Sequence, residues 1–353
     1  MPLRRCFAVV FMSMIMGFGL GCNDTQWGLG LGQGFYEASV RTITVDQQGK
    51  GDFITIQSAI DSIPSNNDCW VLIYVRRGTY GEKVTIPPDK PYVALQGEGM
   101  KITTIVWEDH DDPEQSATFS SLADNFVARH ISFRNSYNNY FGHNRNARTP
   151  AVAARVFGDK SSFYSCGFFG LQDTLWDVQG RHYFKSCFIE GAVDFIFGSG
   201  QSIYEKCKIS VIAHNVQPVA VGFITAQARS SSTDPSAFIF KHCSVFGRGS
   251  AYLGRAWRAY SRVLFFNTFL SQVVHPQGWD AWGFTGHEGR ITFAEYGCKG
   301  RGSNTSQRVK WKRKLNHDMV AKFISTSFID KDGWLKWQMD QLFRSPPSHF
   351  TIP

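Results

Sequence analysis

The chain has 353 residues, room for one large domain or two ordinary ones. Its 33 glycines are spread evenly and no Pro/Ser-rich linker or charge block interrupts it, which argues for a single domain. Aromatic side chains make up 15% of the residues, enough for a substantial core and for stacking surfaces besides.

The N-terminus opens with basic Arg4-Arg5, runs apolar from Cys6 to Leu20 and carries small Gly19 and Gly21. That pattern predicts a secretory signal peptide over residues 1–21, cleaved near Gly21 or Cys22. The apolar run falls short of the roughly 20 residues that span a bilayer, so no membrane anchor is expected. Residues 22–40 read as an extension and 41–353 as the folded domain. Thr55 to Ile63 places Ile56, Ile60 and Ile63 at helical spacing and stops at Pro64, which predicts a short helix covering one open end. Strands are expected at Val71–Val75, Tyr92–Leu95, Phe126–Phe133, Phe163–Phe169, Tyr183–Ile189, Ile203–Ile209, Phe238–Phe246 and Val263–Leu270. From Asp318 the pattern turns helical and polar, with Trp334, Trp337 and Phe343 expected to pack back on the body.

The strands carry a repeat. Phe163-Tyr164-Ser165-Cys166 recurs as Tyr183-Phe184-Lys185-Ser186-Cys187, 21 residues on, and again as Ile203-Tyr204-Glu205-Lys206-Cys207 after 20. Downstream of the first two copies lie Gln172-Asp173-Thr174 and Val193-Asp194-Phe195, whose aspartates are also 21 apart. A period near 21 made of short aromatic and β-branched runs is the signature of a solenoid. If each copy is one coil of a parallel β-helix, equivalent positions stack at about 4.8 Å, and the two carboxylates stand side by side.

The net charge of +8 favours, in a secreted protein, an extracellular polyanion such as an acidic polysaccharide, and no nucleic acid. Part of that charge lies in Arg308–Lys314, which also reads as a solvated basic surface. The six cysteines beyond the signal region are compatible with disulfides or with a ladder of reduced thiols, and Cys166, Cys187, Cys207 and Cys243 are the candidates for either. Since the sequence lacks a CxxC or Cys/His cluster, neither a metal nor a cofactor is expected. Asn23-Asp24-Thr25 and Asn304-Thr305-Ser306 match the glycosylation sequon.

Five motifs then carry a resemblance. Gly78-Thr79-Tyr80-Gly81-Glu82, Ala151-Val152-Ala153-Ala154-Arg155, Gln172-Asp173-Thr174, Val193–Gly198 and Leu253-Gly254-Arg255-Ala256-Trp257 follow in order. Together they resemble plant pectin methylesterases, which remove methyl groups from the galacturonate of cell-wall pectin, over about Arg41 to Ile329. The resemblance implies an all-β fold, a right-handed parallel β-helix (a single-stranded solenoid) with short capping helices. It implies an aspartyl esterase acting on methyl-esterified homogalacturonan through a covalent acyl-enzyme, in a form without the family's N-terminal inhibitor-like domain. Arg255 would pair with Asp194, the nucleophile, and Asp173 would be the acid and then the base. Gln172 would donate to the oxyanion, which requires a bend at Gln172-Asp173 because adjacent strand residues face opposite ways. Trp257 and Trp282 would be sugar platforms; for Phe169, Phe195 and Trp279, core and substrate contact stand level. Glu82 and Tyr80 read as a turn signature, and His182 as a turn hydrogen-bonder.

There are two departures from the family pattern. Pro150 stands where the family has a glutamine, a second oxyanion donor, unless Asn146 or Thr149 substitutes. Ala256 replaces a frequent proline. The chain is expected to be secreted to the cell wall and to act as a monomer, with a proteinaceous pectinesterase inhibitor as a candidate partner. The rival readings are a pectin-acting glycoside hydrolase or lyase on the same fold, and a pectin-binding homologue of weak or lost activity.

Overall fold

The computed structural model describes residues 40–138, 149–215 and 221–343. The expected leader, nearly all of the extension after it, Asn23 and Asn146 lie outside them. Among the described residues the chain forms three all-parallel sheets of ten, eight and eight strands. The long sheet runs from Arg41–Val45 to Thr292–Tyr296, the second from Val84–Ile86 to Trp279–Asp280, and the third from Gly78–Gly81 to Phe269–Leu270. Each coil gives one strand to each sheet in turn, so the expected parallel β-helix is the fold.

Runs expected as single strands are each two strands in different sheets. Phe163–Phe169, expected as one strand, is Ser161–Tyr164 in the long sheet and Gly167–Phe169 in the third. Tyr183–Ile189, Ile203–Ile209, Phe238–Phe246, Val263–Leu270 and Phe126–Phe133 are divided the same way. One left-handed residue turns each corner: His130, Ser165, Ser186, Lys206, His242 and Asn267, with φ between 46° and 55°. A non-glycine residue costs about 1–2 kcal/mol there. The stack offsets it, because each corner N–H donates to the next coil, as from Ser165 to Lys185 O at 2.9 Å and from Ser186 to Glu205 O at 2.9 Å.

The residue after each corner turns inward. At that position Cys166, Cys187, Cys207 and Cys243 are buried free thiols, as is the half-buried Cys298, so the ladder is a reduced one. Cys187, Cys207 and Cys243 donate to carbonyls of the preceding coil, Phe163 O, Phe184 O and Tyr204 O, at 3.5, 3.3 and 3.2 Å. Beside them runs a stack of rings in strict register: Phe163, Phe184, Tyr204, Phe240 and Phe265. Their centroids are 4.9, 4.6, 4.6 and 4.4 Å apart and nearly coplanar in tilt, close to the spacing of parallel strands.

His182 lies within the strand Arg181–Lys185, not in a turn, and is fully buried. Its Nδ1 meets Asp177 Oδ1 at 2.5 Å, its Nε2 faces Gly158 O at 3.0 Å, and Tyr204 donates to Asp177 Oδ2 at 2.6 Å. These groups satisfy one another inside the coil, which makes them core polar residues.

The expected N-terminal helix spans Ile56–Asp61, capped by Thr55, and buries Ile56, Ala59 and Ile60 in the main core. Glu82 accepts from the Ile56 and Gln57 N–H groups at 2.8 and 2.9 Å, so its motif is structural, as expected. The C-terminal helices, His317–Ile324 and Trp334–Phe343, cover the flank of the long sheet and do not cap an end. Trp334 is buried there against Tyr183, Ile203 and Ile239. Trp337 stays 42% exposed while its ring touches Trp70 and Tyr92.

Phe184 sits mid-stack with rings on both sides. Phe184→Ala is expected to cost about 3–5 kcal/mol, read as a lowered denaturation midpoint; the exposed corner change Lys206→Ala should cost under about 1 kcal/mol. Similar midpoints for the two variants would mean that the ring stack does not carry the fold.

Candidate active site

The second sheet presents its inward residues to the core and a row of others outward. Register matches Arg155, Trp176, Phe197, Ala226 and Arg255 on five successive strands of that row. Trp176 and Phe197 stack at 5.4 Å, and Trp257 leans on Phe197 at 5.9 Å. Together with Ala117, Val152 and Ala226 they form an apolar floor.

At its edge, where the third sheet hands over to the second, lie the two aspartates. The register pairs Leu175 with Ile196 and bridges Gln172 to Val193, so Asp173 and Asp194 stand at equivalent points of neighbouring coils. Both have left-handed backbones, φ 60° and 48°. At Asp194 the pairing slips: Val193 matches Phe223 but Ile196 matches Thr225, which leaves Asp194 and Phe195 opposite one residue. Such a bulge re-aims a side chain, and the Asp173 corner supplies the bend expected beside Gln172. The Asp173 N–H stays paired to Val193 O at 3.0 Å. Gly170 and Gly191, one coil apart, make room: a Cβ on Gly191 would sit 2.2 Å from Phe195 Cβ, and one on Gly170 2.7 Å from Thr174 Oγ1.

The aspartates differ in their surroundings. Arg255 grips Asp194 with Nε to Oδ1 at 2.8 Å and an Nη2 contact to Oδ2 at 2.5 Å. The guanidinium itself packs on the rings of Phe223 at 4.2 Å and Trp282 at 3.7 Å. Burial raises the Asp194 carboxyl above its ordinary value, and the Arg255 bonds oppose that rise. Asp173 has no such grip. Burial first, and the Asp194 charge second, push it up to about 8, with Arg255 pulling only weakly the other way. Near neutral pH the pair therefore holds one proton, on Asp173, opposite a carboxylate on Asp194.

A protonated carboxyl beside an arginine-held carboxylate, on the edge of an aromatic floor, is equipment for acid-assisted nucleophilic attack. The pectinesterase family model matches residues 42–333. The chain belongs to the pectinesterase family. Among its relatives, Arabidopsis thaliana "Probable pectinesterase 29" is 53% identical over 83% of this chain and 88% of that protein. "Probable pectinesterase 55" of the same plant is 52% identical over 85% and 92%. Among solved structures, pectin methylesterase from carrot is 28% identical, with TM-score 0.76 over 84% of this chain and 95% of that one. The enzyme from Aspergillus niger is 30% identical, with TM-score 0.70 over 85% and 97%. This protein is accordingly an esterase of pectin.

In this pectinesterase Arg255 brings Asp194 and Trp282 together, Gln172 and Asp173 lie on the neighbouring coil, and Trp257 belongs to the adjoining floor. Trp257 is part of the floor, whereas Trp282 is 46% exposed and lids Arg255. Phe195 and Trp279 are core residues, fully or nearly fully buried. Phe169 belongs to the outer face of the third sheet, stacked on Phe188 at 5.5 Å under Arg134. Sequence reasoning missed Trp176, Phe223 and Arg155; alternation along the second sheet's strands was the signal that could have found them. Pro150 adjoins Gln172, since the next residue's N–H donates to Gln172 O at 3.3 Å, and its own carbonyl takes the Asp111 N–H at 3.0 Å.

An acid whose folded value is raised holds its proton more tightly folded than unfolded. The contribution of Asp173 to stability is thus complete below about 3.8 and is lost as pH rises through about 8. Asp173→Asn cannot ionise, so the variant should melt above the wild type at pH 8–9, with the gap closing toward pH 4. Parallel melting curves across that range would show that the Asp173 carboxyl is not held under this constraint.

Proposed function

We propose that Asp194 is the nucleophile, Asp173 the acid and base, and Gln172 an oxyanion donor in the hydrolysis of methyl esters of galacturonate in pectin. The observation that carries the reading is the Arg255 fork on one of two aligned aspartates, which leaves the other to hold a proton. In the first half, an Asp194 oxygen attacks the ester carbonyl carbon and the carbonyl oxygen takes the charge, with the Gln172 amide donating to it. The tetrahedral adduct collapses, the C–O bond to the methoxy group breaks, and Asp173 gives its proton to leave methanol and an acyl-enzyme anhydride. In the second half, Asp173, now a carboxylate, takes a proton from water as the water oxygen attacks the same carbon. Collapse expels the Asp194 carboxylate and frees the galacturonate carboxyl, with Asp173 protonated again. Trp257, Trp176 and Phe197 offer faces for the sugar rings.

The leader-like segment and the exposed Asn304 sequon support a secreted glycoprotein of the cell wall. Asn304 is already in a turn, its Oδ1 accepting from Ser306 N at 3.0 Å. A proteinaceous inhibitor that covers the aspartate pair and its aromatic floor is a compatible partner.

Purified protein should release methanol from methyl-esterified pectin without new reducing ends or unsaturated uronides, which would mark a hydrolase or lyase. Asp194→Asn should abolish release in a folded protein, because an amide of the same shape is a poor nucleophile. Asp173→Asn should lose far more on the methyl ester than on an activated ester whose leaving group needs little protonation. Equal loss on both would remove Asp173 from the acid role.

Pro150 tests the oxyanion side. One such donor is worth on the order of 10²–10³ in turnover in other enzymes. Pro150→Gln is therefore expected to raise kcat with little change in KM, since the added bond forms mainly in the transition state. An unchanged kcat would mean a donor sited elsewhere, and Thr149→Ala or Asn146→Ala would then slow the enzyme.

A further inference from the structure

The outer face of the third sheet carries rings and cations of its own. Phe169 and Phe188 stack at 5.5 Å, and Phe246 meets Phe188 edge-on at 6.3 Å. Phe269, on the last strand, is 49% exposed. The charge on this face is one-sided. Its eight strands contain a single carboxylate, Glu190, which accepts from Ser210 at 3.2 Å, against the cations Arg134, Lys208 and Arg248. At the C-terminal end lies an open groove of about 620 Å³, lined among others by Phe246, Arg248, Phe269, Gln272 and Arg301. Arg248 and Arg301 form no ion pair among the described residues, where Arg301 has one side-chain hydrogen bond, to Gln272 Oε1 at 3.4 Å. The basic run Arg308–Lys314 is a weaker candidate for an anion, because Arg308 is bound to Glu295 and Arg313 to the Ile291 carbonyl.

We propose that this groove on the third sheet is a second binding site, for de-esterified galacturonan, and that it holds the enzyme to the product of its own reaction. The proposal rests on the chain being an esterase of pectin, not on the roles assigned to the two aspartates. Two exposed rings and two unpaired guanidinium groups around one groove suit a sugar chain that bears carboxylates. The rings take sugar faces, and the planar forks take the acid groups. Each ester removed turns a neutral group into a carboxylate, so the chain left behind is the one this groove attracts. A fully methyl-esterified chain offers it no charge. The aspartate pair and its aromatic floor belong to the second sheet, so a short oligomer held here leaves the catalytic groups open. The enzyme is thereby retained on stretches that it has already demethylated, and the retention weakens as salt screens the exposed arginines.

The test titrates the full chain with a short unesterified galacturonate oligomer by calorimetry and maps the contact by hydrogen exchange. Protection is expected over Ser244–Arg248 and over residues 269–272, and a fully methyl-esterified oligomer should give none there. The double variant Arg248→Gln/Arg301→Gln should lose that protection and raise the Kd of this site about tenfold or more. Its kcat/KM on a short, fully methyl-esterified oligomer should match the wild type. Lys312→Gln/Lys314→Gln removes the same charge elsewhere on the surface and should shift the Kd less than about twofold. Equal weakening in the two double variants would mean that net charge alone attracts the oligomer, and would overturn the site. So would protection confined to the second sheet, or an unchanged Kd in Arg248→Gln/Arg301→Gln. A wild type that dimerises through this face, with the arginine variant monomeric and binding oligomer as before, would make the groove an interface between copies instead. Binding mapped to this groove without methanol release from esterified pectin would strike the esterase reading and leave the site standing.

Discussion

Parallel strands pair at about 4.8 Å, and every feature of this protein follows from coils that stack in register at that distance. The constraint is severe, because whatever occupies one position on a coil meets its equivalents above and below. Rings answer it well: Phe163, Phe184, Tyr204, Phe240 and Phe265 lie nearly parallel at van der Waals contact. Thiols answer it by donating back to the preceding coil. Carboxylates do not answer it at all. Placing Asp173 and Asp194 at equivalent points brings like charges together, and the fold has to resolve that conflict.

It does so asymmetrically. Burial opposes ionisation of both groups, so without help both would tend to hold protons. Arg255 reaches Asp194 from two coils further on and satisfies both its oxygens, while the rings of Phe223 and Trp282 pack against the guanidinium. Asp173 keeps its proton first because it is buried without such a grip, and second because its neighbour keeps a charge. The division of roles proposed for the pair is thus a consequence of where one arginine sits. A lysine there would neutralise Asp194 without orienting it, since a point charge has no fork.

Much of this was legible in the sequence because the repeat is written in side chains that tolerate few substitutes. The 21-residue interval between the aspartates sets their alignment on neighbouring coils, and Arg255-Ala256-Trp257 carries the arginine that meets Asp194 and the tryptophan of the floor. The corners were not legible. Ser165, Ser186, Lys206 and His242 turn the chain through a left-handed residue without glycine or proline to announce it, so two strands in different sheets read as one run. The stacked hydrogen bonds that hold those corners come from other coils and leave no local signature. The flank position of the C-terminal helices was hidden for the same reason, since Trp334 finds its partners on Tyr183, Ile203 and Ile239, over a hundred residues away in some cases. Whether the cysteines were bridged was equally beyond the sequence, because the same ladder suits either state.

The corner geometry also explains how the fold carries its strained site at small cost. Left-handed backbone is present at coil after coil, at Ser165, Ser186, Lys206 and His242 on one edge and at Asp173 and Asp194 on another. Aspartate tolerates that region better than most residues. The two carboxylates therefore use a conformation the solenoid already needs in order to turn, and the neighbouring coils hold it through bonds such as Asp173 N–H to Val193 O. What is special to the site is the bulge at Asp194, one extra residue that lifts a carboxylate out of the ladder and into the reach of Arg255. Phe195, the other residue of the bulge, turns inward and is fully buried, so the core anchors the bend that aims the carboxylate at Arg255. The reactive group is thus positioned by packing on the opposite face of the same two residues, which places the fully buried core directly behind its chemistry.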